Sequence, residues 1–486
     1  MINCLPDEIL LEVFDSYRQN FDDQQYDKQW RKKYAWFNLV HVCRRWRAVV
    51  FASCSRLDLN IVVGPEKPDQ IETTLSRYFK LPILVDYSSR PGGRYGPRRE
   101  ITGSVLWRMR AALRERDRVR AISFGGGWPV DLLFDATNHP FPALESLVLC
   151  FPFHEKPYIP TTFLRGSDHS DLPLRRLKLY SCSLVSVSGF LLFATALTDL
   201  TLNVPYDTMR FESSQSQELI LACLQGMQSL CSLDLTTPNH LPGSEFHYST
   251  PVPLLKLTRF HYSGPGIFLN NLISGLSAPS LQNGCFRLGT ISPVYLSRAI
   301  DDVREEFRSI SVTFDIDCFR LLSSTQSGEL SYSNLSFRFN VTYVSGRSDS
   351  ITAIFRTPPT KLAMTEELAL NFSRWQMTMP ILSEDSLREF LRQFRSVRML
   401  RVSPLSFAQR VRLLLQQDNR EAILPLLEEI ELSDGEEYKR RAAKAVADFK
   451  PFVSARGRTG HLVKVYYTKS LHSEPTQTQP GFARCR

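Results

Sequence analysis

The sequence holds no run approaching the ~18 consecutive apolar residues of a membrane-spanning helix. It has no Cys-x-x-Cys pair, and its ten cysteines stand apart, with no His/Cys cluster at zinc-binding spacing. Most are flanked by apolar residues, so free thiols in a reducing compartment are expected. The opening Met1-Ile2-Asn3-Cys4-Leu5-Pro6 shows neither a basic region nor a long apolar core, so no signal peptide is expected there. Catalytic signatures are missing as well: G-x-S-x-G, H-E-x-x-H, a phosphate loop and the kinase motifs are all absent. Gly125-Gly126-Gly127 has neither the lysine nor the spacing of a phosphate loop and reads as a turn. These absences point to the cytosol or nucleus, with no cofactor, no metal and no membrane contact expected.

What is present begins with ordinary globular chemistry. Hydrophobic residues make up 43% of the 486 and charged residues 22%, which excludes a wholly disordered chain. That length exceeds one compact core, so either several domains or an elongated repeat array is implied. The formal net charge of +9 raises the question of nucleic acid. With 59 basic residues against 50 acidic, and the excess confined to a few stretches, the signal is weak.

The most informative stretch is the first fifty-odd residues. Leu5, Ile9, Leu10, Val13, Phe14 and Tyr17 fall at helical spacing on one face. Pro6 stands where a first-turn proline is tolerated, and Asp7 and Glu8 follow it at the positive end of the helix dipole. A second stripe runs through Trp36, Leu39, Val40, Cys43, Trp46, Val49 and Val50, with Arg44, Arg45 and Arg47 expected to point to water. His41 reads as a helix-surface residue. Two such helices cannot hide this much apolar surface from each other, so either the following domain or a partner must cover the rest.

The two halves, Leu5-Pro6-Asp7-Glu8-Ile9-Leu10 and Val42-Cys43-Arg44-Arg45-Trp46-Arg47, match L-P-x-E-I-L and V-C-R-x-W-R. This pattern resembles the F-box, and the chain as a whole resembles fungal F-box proteins with degenerate leucine-rich repeats. The resemblance implies docking onto a Skp-type adaptor and, through it, a cullin. It implies that Leu5, Pro6, Ile9, Leu10, Val13, Phe14, Cys43 and Trp46 touch the adaptor or brace the helices that do. Between the halves, Gln19 to Tyr34 is polar and charged where the family carries a short leucine-containing connection.

Beyond this module the chain reads as alternating strands and helices. Strands are expected at 56–63, 81–87 and 119–124, with a Gly/Pro-rich loop at 88–97. A helix is expected over 105–117, its apolar face backed by Arg108, Arg110, Arg114 and Arg116. With Trp107 and Tyr95 nearby, this stretch is the natural candidate for nucleic acid. Glu115 and Asp117 interrupt it, which favours a solvated helix face.

From about residue 140 a loose repeat of L-x-x-L-x-L sets in. It runs Leu144/Leu147/Leu149, Leu174/Leu177/Leu179, Leu197/Leu200/Leu202 and Leu230/Leu233/Leu235, with Leu257/Phe260/Tyr262 as a weaker copy. The second copy continues to Cys182 and Leu184, completing the leucine-rich-repeat consensus. Its recurrence is irregular around the ~20–29-residue period of such repeats. Helices are expected at 187–195 and 215–227. The pattern fades between about 280 and 360, where Phe307/Ile310/Val312, Leu335/Phe337/Phe339 and Val341/Tyr343 still alternate as strands. It returns at Leu368/Leu370/Phe372, Val397/Leu400/Val402 and Leu427/Ile430/Leu432, with a helix at 383–394 before these last two. A helix at 436–449 and a strand at 461–467 would close the array. Asp315 and Asp317 could share a strand face but read as solvated positions.

The expected architecture is therefore α/β: a helical F-box-like module over 1–60, connecting strands and an arginine-rich helix over 61–135, an irregular leucine-rich-repeat solenoid with a curved parallel sheet and outer helices over 136–469, and a disordered tail over 470–486. The expected role is substrate receptor of a cullin–RING ubiquitin ligase, without chemistry of its own. The alternative is a leucine-rich scaffold or nucleic-acid-associated protein that binds no adaptor. The target protein is not written in the sequence.

Overall fold

The computed structural model describes residues 5–19, 35–54, 56–57, 59–64, 70–87, 102–125, 139–151, 159, 163–164, 173–182, 184–204, 213–237, 251–264, 266–288, 309–314, 318–324, 337–343, 360–372, 384–417, 423–434 and 439–469. The charged connection at 20–34, the loop at 88–97, Asp315, Asp317 and the tail at 470–486 lie outside the described residues. The chain divides into two compact units, Met1–Asn203 and Val204–Arg486.

The first unit opens with three helices, α1 (Asp7–Gln19), α2 (Ala35–Val40) and α3 (Arg44–Ala52). The second apolar stripe is thus not one helix, because a turn at His41 and Val42 divides it. There follow β1 (Ile61–Val63), α4 (Ile71–Arg77), β2 (Ile83–Tyr87), α5 (Gly103–Arg114), β3 (Val119–Phe124), β4 (Ser146–Cys150), β5 (Arg176–Tyr180), α6 (Leu184–Leu191) and β6 (Asp199–Asn203). The first strand is shorter than its alternation suggests, since Arg56 and Leu57 form a turn.

All six strands pair in parallel in chain order. Register explains the leucine pattern. Ile122, Leu147, Leu177 and Leu200 stand opposite one another, as do Phe124, Leu149, Leu179 and Leu202. All eight are buried, while the residues between them are at least partly open. Side chains alternate along a strand, so L-x-L sends both leucines to one face. Leu144, Leu174 and Leu197, just ahead of their strands, are buried too. Each repeat therefore contributes three leucines to a core shared with its neighbours, at roughly 1.5–3 kcal/mol per side chain. The best copy turns at Ser181, whose φ of 58° is left-handed, and its Cys182 is buried. Burial pushes the Cys182 thiol up to about 12, which makes it an inert packing group.

The second unit contains α7 (Ser213–Gln225), β7 (Ser232–Thr236), β8 (Val252–Pro253), β9 (Arg259–Gly264), α8 (Gly266–Ser274), β10 (Leu276–Ser277), β11 (Asn283–Leu288), β12 (Ser309–Phe314), β13 (Cys318–Ser324), β14 (Phe337–Tyr343), β15 (Glu367–Phe372), α9 (Glu384–Leu391), β16 (Met399–Ser403), α10 (Leu405–Gln417), β17 (Glu429–Asp434), α11 (Lys439–Asp448), α12 (Lys450–Arg458) and β18 (Lys464–Lys469). Its main sheet runs β7-β9-β11-β14-β13-β12-β15-β16-β17-β18, and β8 and β10 make a small parallel pair. The leucine ladder reappears at its far end, where Leu368, Leu400, Ile430 and Val465 align.

The expectation of a wholly parallel sheet needs correction. β13 is antiparallel to both β12 and β14, and these three strands enter the sheet in reversed order. The reason is connection length. Only residues 315–317 separate β12 from β13, enough for an antiparallel return, whereas a parallel crossover takes a dozen or more.

Candidate functional site

The N-terminal helix α1 starts where the sequence places it. Pro6 stands just ahead of it, and the Pro6 carbonyl accepts the Leu10 N–H at 3.1 Å. The apolar stripe of α1 then sorts into two rows. Leu10 and Phe14 are fully buried, while Ile9 and Val13, one turn apart, are 47% and 45% exposed. The Phe14 ring packs on Trp46 of α3 with centroids 4.8 Å apart. Leu5 is half-buried and Pro6 exposed at the helix start.

Cys43 has a structural task. Its backbone is extended, and its Sγ accepts the Trp46 N–H at 3.4 Å, capping α3. Of the arginines expected in water, Arg44 is exposed, and Arg45 and Arg47 also make contacts within the module. Arg45 reaches across to α1, where it donates to Asp7 Oδ1 at 2.7 Å and to the Leu5 carbonyl. Arg47 donates to the Val40 carbonyl at 3.0 Å, bridging the turn between α2 and α3. Arg56 pairs with Glu12 at 3.0 Å and with Asp15 at 3.6 Å. These exposed pairs contribute little stability individually, and Arg45–Asp7 is the pair that joins α1 to α3.

The other side of the module rests on the first repeats. Trp36 of α2 is buried, edge-on to Phe51 at 6.0 Å and to Tyr78 at 6.1 Å. The surplus apolar surface of the two motifs is thus divided. α2 buries its share against the chain that follows, and α1 leaves Ile9 and Val13 in water. Of the eight predicted site residues, Leu10, Phe14, Cys43 and Trp46 brace the helices, whereas Leu5, Pro6, Ile9 and Val13 stand at or near the surface.

The arginine-rich stretch offers less cationic surface than its composition suggests. Arg108 is buried and donates to the Ser104 carbonyl at 3.3 Å, which corrects its placement on a solvated face. Arg118 spends its guanidinium on the chain's own carbonyls: Tyr78 at 2.8 Å, Leu81 at 3.0 Å and Leu75 at 3.3 Å. Arg120 pairs with Glu145 at 3.0 Å. Arg110 and Arg114 are exposed. Among the described residues no three His, Cys, Asp or Glu side chains are placed to hold a metal ion, and no helix is long and apolar enough to cross a membrane.

The chain matches no family model and no curated protein. Among solved structures, it is similar to the leucine-rich-repeat ectodomain of the plant membrane receptor kinase GASSHO1/SCHENGEN3 from Arabidopsis thaliana, solved with Casparian strip integrity factor 2. The match covers 85% of this chain and 38% of that one, at 13% identity and a TM-score of 0.26.

Three features of the module escape sequence reasoning: the cap at Cys43, the Arg45–Asp7 pair and the packing of Trp36 on Tyr78. The second carries a signal, since an acid in the first helical turn and an arginine in the second motif are each visible. Their partnership across 38 residues is not.

Proposed function

We propose that this chain is a target-recognition subunit of a cullin–RING ubiquitin ligase, docking a Skp-type adaptor through its N-terminal helices. One observation carries the reading. α1 is held rigidly on α3 by Phe14, Trp46 and Arg45, yet it presents the aliphatic pair Ile9 and Val13 to solvent. This exposed row lies within the L-P-x-E-I-L motif that resembles an F-box. In this reading Ile9 and Val13 contact the adaptor, and Leu5 and Pro6 flank that contact. Leu10, Phe14, Cys43 and Trp46 hold the surface in shape.

The strands of the repeats then supply the target-binding side. Their leucines are committed to the core, so the alternate positions are free to carry recognition chemistry. Ubiquitin transfer takes place elsewhere in the assembly, and this chain needs no cofactor. A cytosolic or nuclear location follows from the adaptor.

The test is co-purification of the full-length chain with a Skp-type adaptor, wild type against Ile9→Asp. Binding by the wild type and its loss in the variant, with the melting temperature retained, is the expected result. A folded wild type that does not bind, or a variant that binds equally well, overturns the proposal.

A further inference from the structure

Three neighbouring strands of the second unit carry an acid, an imidazole and a thiol at one register. Parallel pairing sets Asp234 of β7 opposite His261 of β9, and His261 opposite Cys285 of β11. Each lies between buried strand neighbours: Leu233 and Leu235, Phe260 and Tyr262, Gly284 and Phe286. Alternation turns the three side chains to the opposite, open face, and paired strands lie only ~4.8 Å apart, so the side chains meet.

His261 Nδ1 and Asp234 Oδ1 are 2.7 Å apart, and register places the Cys285 side chain on the other side of the ring. Burial by itself would lower the His261 pKa. Its partners outweigh that, the Asp234 carboxylate first among them, and raise it to about 10. The site is open to small molecules, with the His261 and Asp234 side chains 26% and 40% exposed and Cys285 half-buried.

On this face Arg259 stands two residues before His261, opposite Asn283. Among the described residues of these rows, Asp234 is the acid beside the histidine. Burial pushes the thiols of Cys182 and Cys223 up to about 12 and about 11, which keeps them inert.

We propose that Cys285 is a nucleophilic thiol activated by His261 and Asp234, and that this face of the sheet is a site of oxidation by hydroperoxides. The thiol gives its proton to water, and the His261 imidazolium, paired with Asp234, stands beside the sulfur. A sulfur lone pair attacks the terminal oxygen of the peroxide. The S–O bond forms as the O–O bond breaks. Sulfur gives up two electrons and becomes a sulfenic acid. The peroxide is reduced to an alcohol, or to water, and its leaving oxygen takes the proton from His261. None of this depends on adaptor docking.

The test treats the folded full-length chain with limiting hydrogen peroxide in the presence of dimedone, and reads each cysteine by peptide mass spectrometry. Cys43, Cys54, Cys150 and Cys231 are half-exposed as well and serve as internal references. Cys285 is expected to label at least about tenfold faster than these four, and His261→Gln and Asp234→Asn are each expected to remove most of that advantage. Continued protection of the buried Cys182 and Cys223 reports that a variant is folded. Labelling of wild-type Cys285 no faster than the references overturns the proposal. So does fast labelling that persists in a folded His261→Gln protein.

Discussion

The division of α1 into an inner and an outer row makes a prediction that separates binding from folding. Ile9→Ala removes three carbons and Val13→Ala two, at about 0.8 kcal/mol for each fully buried carbon. Roughly half of each residue is open in the free chain, at 47% and 45%. Covering that open half on an adaptor is therefore worth about 1 kcal/mol at Ile9 and somewhat less at Val13, or nearly 2 kcal/mol together. The double variant should bind about twentyfold more weakly, at 1.4 kcal/mol per factor of ten. Its folding stability should change by no more than ~1 kcal/mol, as for other surface positions. Phe14→Ala should behave in the opposite way. It empties a fully buried site and deletes the stack on Trp46, at a cost of ~3–5 kcal/mol. Titration calorimetry against purified adaptor, with urea unfolding of the same preparations, measures both quantities. If Ile9→Ala/Val13→Ala binds at wild-type affinity, the outer row is not the docking surface. If it unfolds like Phe14→Ala, the two-row division is wrong.

Arg118→Ala strips three backbone carbonyls of a charged donor in a half-buried site and should lower stability by ~2–4 kcal/mol in urea, while exposed Arg114→Ala stays within ~0.5 kcal/mol. Equal effects would mean that the carbonyl contacts of Arg118 add no stability. Gly264→Ala should cost more than ~2 kcal/mol, because a Cβ there runs into the Thr237 and Tyr262 hydroxyls and breaks their 2.9 Å hydrogen bond; an unchanged melting temperature would refute this. His261 has a folded pKa raised from 6.5 to about 10, so its contribution is complete below pH 6.5 and fades as pH climbs towards 10. The melting temperature should accordingly fall over that window, and Asp234→Asn should flatten the slope.

Some of this fold was legible because one physical rule governs it. A period of two with leucine at both ends of L-x-L specifies a strand with one buried face, and the observed ladders of Leu147, Leu177 and Leu200 follow it. The same rule is blind to direction. The reversed order of β12, β13 and β14 therefore follows from connection lengths instead, and Cys318–Ser324, with Leu321, Leu322 and Ser323 all buried, lacks the alternation that marks the other strands. The break between α2 and α3 was hidden for a related reason. The apolar stripe from Trp36 to Val50 keeps helical spacing across the turn, and cysteine is not among the preferred capping residues. The role of Arg118 is not visible in the sequence, because its carbonyl partners lie 37 to 43 residues away.

The Asp234–His261–Cys285 row shows where such a fold keeps its chemistry. Each member occupies the middle position of a strand whose flanking residues are buried, so its identity is not constrained by the core. Register then turns residues that are far apart in the chain into neighbours one strand spacing apart. The same device, further along the second unit, sets Arg401 of β16 within 2.8 Å of Glu431 on β17 and 3.5 Å of Glu367 on β15. There a single guanidinium lies between two carboxylates, and none of the three is oxidisable. In the row of His261 the central cation has a carboxylate on one side and an oxidisable sulfur on the other. Similar placement thus gives a passive ion-pair ladder in one case and a candidate reactive centre in the other. The difference lies in the residue at the third strand. Replacing Cys285 with serine should therefore abolish dimedone labelling of this row, while the His261–Asp234 pair and the fold remain.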